Sequence, residues 1–533
     1  MNTVPVDAPQ QAHAFDEQRQ KFKKSLRRID LVFITIAALV AIDTIAVTAG
    51  VGGGQTLVWL LVLIGVYLIP YGMIVSELGS AFPYEGGAYV WPRLAFGRFA
   101  GAYTAAFYWM SNPVWVGSTV AAVVVAAVNS LIVPKHPLGT GGSIAVGLAV
   151  VVACTAFSWI ELRWGKWAGA VGTVVRLLTL GIFLTLVVVF LVQHGKPAGT
   201  VTVSDLKPTA TGFLGVIGLL QFLFVGFEIS NGAAEEMTNP QRDIPKMILR
   251  SGLIASLVTG SIIFGVLLVV PGTSLSNVTG FTDAYASVAG VLGGATHVFN
   301  YLIAALVILT AISTAAVWQQ GTCRVQAVAA LDGAAPLWMG RFSRSGTPVA
   351  MNVLSTVIGG AFVAVVFWLA RGSLATFFAI TIAVVISLTA MMYLLVFPAV
   401  IPLRRKYPDR HRPFRVPGGT AGMWLCVIGS EAIIILTTIT LLWPGLIDGV
   451  LGHSYSIADV WGVSRTYFET VTLGIVAFFV VVAVAFWAVG RRNIARGLVG
   501  EDDLLAAALE EVPALDRAAS EAGRPPAVAA ERL

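Results

Sequence analysis

Charge is scarce in this sequence. Only 12% of its 533 residues are Asp, Glu, Lys or Arg, while 57% are hydrophobic and the mean hydropathy is +0.82. A soluble globule carries about 25% charged residues, so this chain lacks the polar coat needed to face water on all sides, and lipid must be its solvent. Cysteine is scarce as well. Cys154, Cys323 and Cys426 each lie within or at the edge of an apolar stretch, which gives neither a disulfide framework nor metal-ligand spacing. The six histidines (His13, His136, His194, His297, His411 and His453) fall in loops, tails or helix edges, and no His/Cys/carboxylate cluster shares a helix face. A nucleophile elbow, a phosphate-cradling glycine loop and a zinc-protease signature are all missing. Neither an enzyme nor a metal or cofactor site is expected. A cleavable signal peptide is missing too: residues 1–30 are polar, end in the basic run KFKKSLRR and lead into an apolar segment long enough to be retained.

What the sequence does contain is long apolar runs. A spanning helix needs about 20 mostly apolar residues. Twelve segments qualify, at about 31–50, 56–80, 99–132, 143–160, 168–192, 211–234, 247–270, 298–322, 349–369, 374–400, 422–443 and 467–490. The third is too long for one straight crossing and is expected to tilt or break. Phe281–His297 is too short and glycine-rich to span, and predicts short helices lying across the outer face. With the N-terminus inside, 28 Lys and Arg residues fall on the cytoplasmic side and 5 outside, with Arg176 left within the fifth span. That bias predicts both termini in the cytoplasm, and the membrane expected is the plasma (inner) membrane. It also accounts for the net charge of +6 as a topology signal, so no nucleic acid partner is expected. The expected division is a cytoplasmic tail at 1–30, a core of ten spans at 31–400, two further spans with a basic loop at 401–490, and a partly disordered cytoplasmic tail at 491–533. In that last tail EDDLLAAALEEV reads as an amphipathic helix, either a solvated tail or a plug or partner site. Nothing in the chain specifies an oligomeric state.

Ionisable groups inside a membrane span are costly, roughly 2.5–3.5 kcal/mol each on insertion scales, and tend to face a cavity or one another. Four stand out: Asp43 in the first span, Arg176 in the fifth, Glu228 in the sixth and Glu431 in the eleventh. For each, the plain alternative is an interhelical hydrogen bond with no role in transport, and for Glu431 a structural role or a dimer face is the preferred reading. Asp43 is followed by Thr44, and Glu228 lies just after Gly226, where the helix is expected to break. The first and sixth spans open two sets of five, with two spans left over. Transporters built from inverted repeats place their substrate sites on broken helices at corresponding positions of the two halves.

Several motifs carry a resemblance: SELGSAFPYEGGAYVWPRLAFG at 76–97, GFE at 226–228 followed by EEMTNPQRDIP at 235–245, Arg324 with LDGAAP at 331–336 and Thr347-Pro348, and LRRKYPDRHRPFRVPGG at 403–419. In order and at the right helix ends, over about residues 25–420, these make the chain resemble the amino acid–polyamine–organocation (APC) transporter superfamily, of the amino acid permease type. The resemblance implies an all-α membrane protein of 12 transmembrane helices: a five-plus-five inverted repeat with the first and sixth helices discontinuous, plus two C-terminal helices. It implies a substrate site between spans 1, 3, 6, 8 and 10. By position, an aromatic gate falls on Phe222, the residue after the sixth-helix break on Glu228, and the inner aromatic of span 8 on Trp318 with Ser313 and Thr314 a turn earlier. The wall of span 3 falls near Tyr108, Ser111 and Asn112. The lysine of proton-coupled members falls on Arg176.

Two departures sharpen the expectation. Relatives usually unwind the first helix at glycines, whose free N–H groups hold a substrate carboxylate; here that place reads AIDTIAV at 41–47. An ionised Asp43 repels a carboxylate and attracts an ammonium, which favours an amine, whereas an Asp43 that is protonated or paired with Arg176 loses that preference. Arginine, unlike lysine, does not deprotonate in proteins, so Arg176 is expected to act as a fixed cation and Glu228 or Asp43 to carry any coupled proton. The function expected is a permease that moves amino acids or related amines, a small amino-bearing solute, by alternating access, as symporter, antiporter or exchanger. The alternatives are a polyamine or organic-amine transporter and, in another class, a non-transporting sensor on the same scaffold.

Overall fold

The computed structural model describes residues 27–499 apart from 41, 165–166, 196, 198–201, 271–279, 344–345, 370–373 and 452–461. Most of the N-terminal tail and the tail from residue 500 on, with its acidic stretch, lie outside the described residues. Within them the secondary structure is helical, with no β-strand. The principal helices are α1 (Arg28–Leu39), α2 (Ile42–Gly52), α3 (Gln55–Ala81), α4 (Arg98–Ile132), α5 (Thr140–Trp164), α6 (Trp167–His194), α7 (Ala210–Leu223), α8 (Pro240–Val269), α9 (Thr296–Leu331), α10 (Val349–Leu369), α11 (Leu374–Val396), α12 (Gly419–Leu442) and α13 (Arg465–Ala495). Ten of the described helices are long and apolar enough to cross a membrane, and α1 and α2 pass the same test together as a pair bent by 45°.

The apolar faces explain the arrangement. Helices α4 and α11 are the most enclosed of the long helices, and both pack at the centre. On α8, Leu249, Leu253 and Leu257 recur every four residues and form an exposed apolar strip, the surface that acyl chains would cover. At 35 residues, α4 is roughly 52 Å long, well beyond a hydrocarbon core of about 30 Å. It stays helical by widening into π turns at Val116–Val120 and Val128–Ile132, with Pro113 just before the first. In that first turn Gly117 lies so close to the Gly359 carbonyl oxygen of α10 that a Cβ would overlap it, the small-residue contact that lets membrane helices approach.

The sequence motifs converge at one end. Glu77, buried at the end of α3, receives two hydrogen bonds of 2.6 Å from Arg404 and one of 2.8 Å from the Val416 N–H. Asp332, after α9, is bonded by Tyr89 and paired with Arg93 at 2.8 Å and Arg98 at 3.4 Å. Arg324 meets Glu85 at 3.1 Å, and Arg28 ties the start of α1 to Asp243 in the first turn of α8 at 2.5 Å. These motif residues thus clamp loops together at the basic end. Removing one partner of such a buried pair costs about 3–5 kcal/mol, because the other charge is left uncompensated.

Two helix ends interrupt the apolar interior. Helix α1 stops at Leu39 and α2 starts at Ile42. Helix α7 stops at Leu223, the next residues leave the helix, and a 3₁₀ segment runs over Ile229–Glu236. Gly226, with φ of 141°, occupies a conformation other residues rarely adopt.

Candidate functional site

Every helix end frees backbone groups that need partners, and in an apolar interior those partners must be protein. At the end of α1 the carbonyls of Ala37 and Ala38, and that of Ile36, which also accepts from Val40 N–H at 3.1 Å, take side-chain partners. Arg176, fully buried on α6, donates to Ile36 O at 3.2 Å and Ala37 O at 2.5 Å, and its other Nη donates to Thr314 of α9. Trp318 Nε1 donates to Ala38 O at 3.3 Å. A cation at the C-terminal end of one helix is matched by an anion at the N-terminal end of the next: Asp43 sits in the first turn of α2. Both charges lie where helix dipoles favour them. Asp43 Oδ2 accepts a hydrogen bond of 2.8 Å from Trp115 Nε1 of α4, and the carboxylate also lies within electrostatic reach of Arg176.

Beyond the end of α7, in the non-helical residues that lead to Ile229–Glu236, the groups that need partners are N–H donors. Gly226 N and Phe227 N donate to the Tyr71 hydroxyl at 3.2 and 3.0 Å. Tyr71 donates in turn to Glu228 Oε2 and shares a 2.9 Å contact with the Tyr393 hydroxyl. Tyr108 faces the same carboxylate from α4. Among the described residues, buried Glu228 Oε1 and the buried Tyr108 hydroxyl have no hydrogen-bond partner. The two helix ends meet where a Cβ on Gly226 would stand 3.0 Å from Ala38 Cβ.

Beside this crossing is a small cavity of about 20 Å³, lined by Ala38, Ser111, Asn112, Trp115, Phe222, Val225, Trp318, Val385 and Thr389. That is room for about one water molecule. A solute of several heavy atoms therefore requires the surrounding side chains to move apart. Three of the wall residues are aromatic, Trp115, Phe222 and Trp318, and Trp318 meets Trp115 edge-on at 6.4 Å and, outside the wall, Tyr108 at 6.1 Å between ring centroids. Both side-chain polar atoms of Asn112 are buried and, among the described residues, unpartnered. An orphaned buried polar group costs about 1–3 kcal/mol, and Asn112, Tyr108 and Glu228 each carry one near this crossing.

Of the residues singled out from sequence, Ser111, Asn112, Phe222 and Trp318 line the cavity directly. Asp43 reaches it through Trp115, and Tyr108 through the Trp318 ring. Gly226 and Glu228 lie at the end of α7, Thr44 is buried beside Asp43, and Arg176 with Thr314 stands behind the end of α1. Ser313 turns back to the Thr310 carbonyl of its own helix at 3.0 Å. Sequence reasoning passed over Trp115, Tyr71, Tyr393 and Thr389. Trp115 was findable, since it follows Tyr108 and Ser111 at helical spacing on one face of α4. The tyrosines gave no local signal. Among the described residues no group of three or more His, Cys, Asp or Glu side chains could hold a metal ion.

A sequence profile described as amino acid permease matches residues 26–458. An uncharacterized transporter of Legionella pneumophila is 30% identical over 420 residues, 76% of this chain and 86% of that protein. A probable agmatine/putrescine antiporter of Lactococcus lactis is 28% identical over 437 residues, covering 79% and 87% of the two chains. A probable polyamine transporter of Arabidopsis thaliana is 25% identical over 405 residues, covering 75% and 79%.

Proposed function

Because this chain belongs to the amino acid permease family, a multi-pass membrane transporter and not an enzyme, we propose that its substrate is a small cationic amine, carried by secondary active transport. The observation that carries this reading is Asp43, held by Trp115 at the start of α2 beside the cavity. Trp115, Trp318 and Phe222 offer ring faces to an organic ammonium, each contact contributing about 0.5–2 kcal/mol once desolvated. Asn112 supplies an amide and Asp43 the compensating charge. A relative described as a probable agmatine/putrescine antiporter agrees with this chemistry.

The frame proposed is twelve spans in a five-plus-five inverted repeat with discontinuous first and sixth helices, followed by two more spans. Residues 31–400 form the core and 401–490 the final spans with their basic loop. Both termini face the cytoplasm of the plasma (inner) membrane. The amine enters when the aromatic side chains part, binds at the α1–α2 and α7 ends, and leaves on the other side as the helix bundles rock. Glu228 carries the coupled proton. With a proton bound it no longer attracts an ammonium, so proton and amine compete, and that competition is the coupling free energy an exchanger needs. Arg176 stays charged throughout and holds the end of α1.

Glu228→Gln fixes this position in the neutral form. Uptake by purified protein in liposomes should then vary little with pH, where wild type varies strongly; a wild-type profile in the variant would remove Glu228 as the proton carrier. Uptake screened across diamines and zwitterionic amino acids in the same vesicles tests the substrate class. Amino acids as the better substrates would replace the amine reading, and binding without flux would point to a sensor.

A further inference from the structure

A carboxamide inside a membrane helix usually hydrogen-bonds a neighbouring group of the protein, because lipid offers it no partner. The buried amides of Gln221, Asn231, Gln319, Gln326 and Asn352 follow that rule: they bond Tyr67, the Phe227 carbonyl, Thr155, Met339 Sδ and Gln319 in turn. Asn112 departs from it. The residue is 2% exposed, and among the described residues neither its Oδ1 nor its Nδ2 has a partner. It lies on α4 directly before Pro113 and lines the cavity together with Ser111 and Trp115 of the same helix. Tying helices together therefore does not account for Asn112, whereas its place at the wall sets it against any solute that enters.

The other polar side chains of the wall have already spent their donors. Ser111 Oγ donates to the Tyr108 carbonyl at 2.8 Å, and Thr389 Oγ1 to the Ile386 carbonyl at 2.8 Å. Trp115 Nε1 donates to Asp43 at 2.8 Å and Trp318 Nε1 to the Ala38 carbonyl at 3.3 Å. The remaining wall residues, Ala38, Phe222, Val225 and Val385, have no polar side-chain atom. The two hydroxyl oxygens keep lone pairs and can only accept. Among the described wall residues, Asn112 Nδ2 is thus the side-chain donor left uncommitted, and it stands beside an acceptor on the same amide, Oδ1.

We propose that Asn112 determines specificity for the end of the substrate remote from its ammonium, and selects a neutral group that both donates and accepts a hydrogen bond, in its smallest form a hydroxyl. The inference rests on the reading of this cavity as an amine site and adds the second group that the amine carries. With the ammonium drawn to Asp43, a far end that is methyl leaves both atoms of the Asn112 amide unserved. A second ammonium serves Oδ1 and leaves Nδ2, and a carboxylate serves Nδ2 but sets its charge against Oδ1. A hydroxyl gives its proton to Oδ1 and takes one from Nδ2, so it completes the amide. Buried polar groups built to bond a substrate hydroxyl discriminate against the analogue that lacks it, because they are then left unpaired.

The test is competition against uptake of labelled diaminobutane by purified full-length protein in liposomes. The competitors are n-butylamine and terminal aminopropanol, chains of equal length that end in a methyl and a hydroxyl. In wild type the half-inhibiting concentration of aminopropanol should lie about 3- to 10-fold below that of butylamine, the range expected of a net hydrogen bond. Asn112→Leu has nearly the same volume and neither polar atom, and should bring the two competitors to within about twofold of each other. The ratio is read inside each protein, so a general loss of rate in the variant does not enter it. If the leucine variant does not fold, Asn112→Ala takes its place with the same expectation. Equal competition by the two amines in wild type, or an unchanged ratio in the folded variant, overturns the inference and leaves the amine reading standing. Uptake of a labelled zwitterionic amino acid that neither amine reduces, with no entry of diaminobutane, overturns the amine reading and the inference with it.

Discussion

Asp43→Asn should raise the half-saturating concentration for cationic amines about 10- to 100-fold while leaving zwitterionic amino acids within about threefold. The substitution is nearly isosteric, and asparagine keeps an oxygen for the 2.8 Å bond from Trp115. Folding should therefore survive. What is lost is the charge, and hydrogen bonds to charged groups are worth about 1.5–3 kcal/mol, which corresponds to that fold-range. A zwitterion loses the attraction at its ammonium and gains relief at its carboxylate, so its net change is small. Competition of unlabelled diamines and amino acids against a labelled tracer measures both effects in one preparation. An equal loss for both solute classes would mean that Asp43 supports the fold at α2 without choosing the substrate.

Arg176→Met should destabilise the protein by about 3–5 kcal/mol, seen as a marked fall in the thermal inactivation midpoint in detergent. Arg176 is the partner of the Ile36 and Ala37 carbonyls and of Thr314, and methionine replaces its bulk but none of its donors. Asp43 would at the same time lose its neighbouring cation. Breaking a buried charged arrangement from one side has this order of cost. Arg176→Lys should behave differently. Lysine keeps the charge and folds, but it lacks the planar fork that serves two carbonyls and a hydroxyl together, and it can release its proton when buried. Transport by the lysine variant should therefore acquire a pH dependence that wild type does not have at alkaline pH. Wild-type stability in Arg176→Met, or a wild-type profile in Arg176→Lys, would show that the end of α1 does not depend on this side chain.

Much of the helical pattern was legible in the sequence because lipid imposes it: long uncharged runs have few other uses. The basic loops were legible for the same reason, though not their partners. That Arg404 closes on Glu77, and Arg93 on Asp332, depends on residues hundreds of positions apart. Of the proposed site, the acids stood out in the sequence and the architecture did so less. Helix α1 ends at Leu39 with no glycine to mark the place, because its partners are side chains on α6 and α9. The run at 211–234 reads as a single apolar segment, yet α7 stops at Leu223. Gly226 hinted at this, but the group that receives the freed N–H donors is Tyr71, on α3. A tyrosine in an apolar span looks like packing until its hydroxyl is placed between two helices. The long third span needed no break, because π turns within α4 absorb its extra residues.

The central claim is that an amine crosses the membrane through the site at the ends of α1 and α7. The most direct measurement is exchange of a labelled short diamine by purified full-length protein in sealed liposomes, with unlabelled diamine or zwitterionic amino acid loaded inside. The account predicts rapid exchange with internal diamine, much slower exchange with internal amino acid, and loss of the diamine exchange in Asp43→Asn. Saturable binding of the diamine with no label entering the vesicles would contradict it.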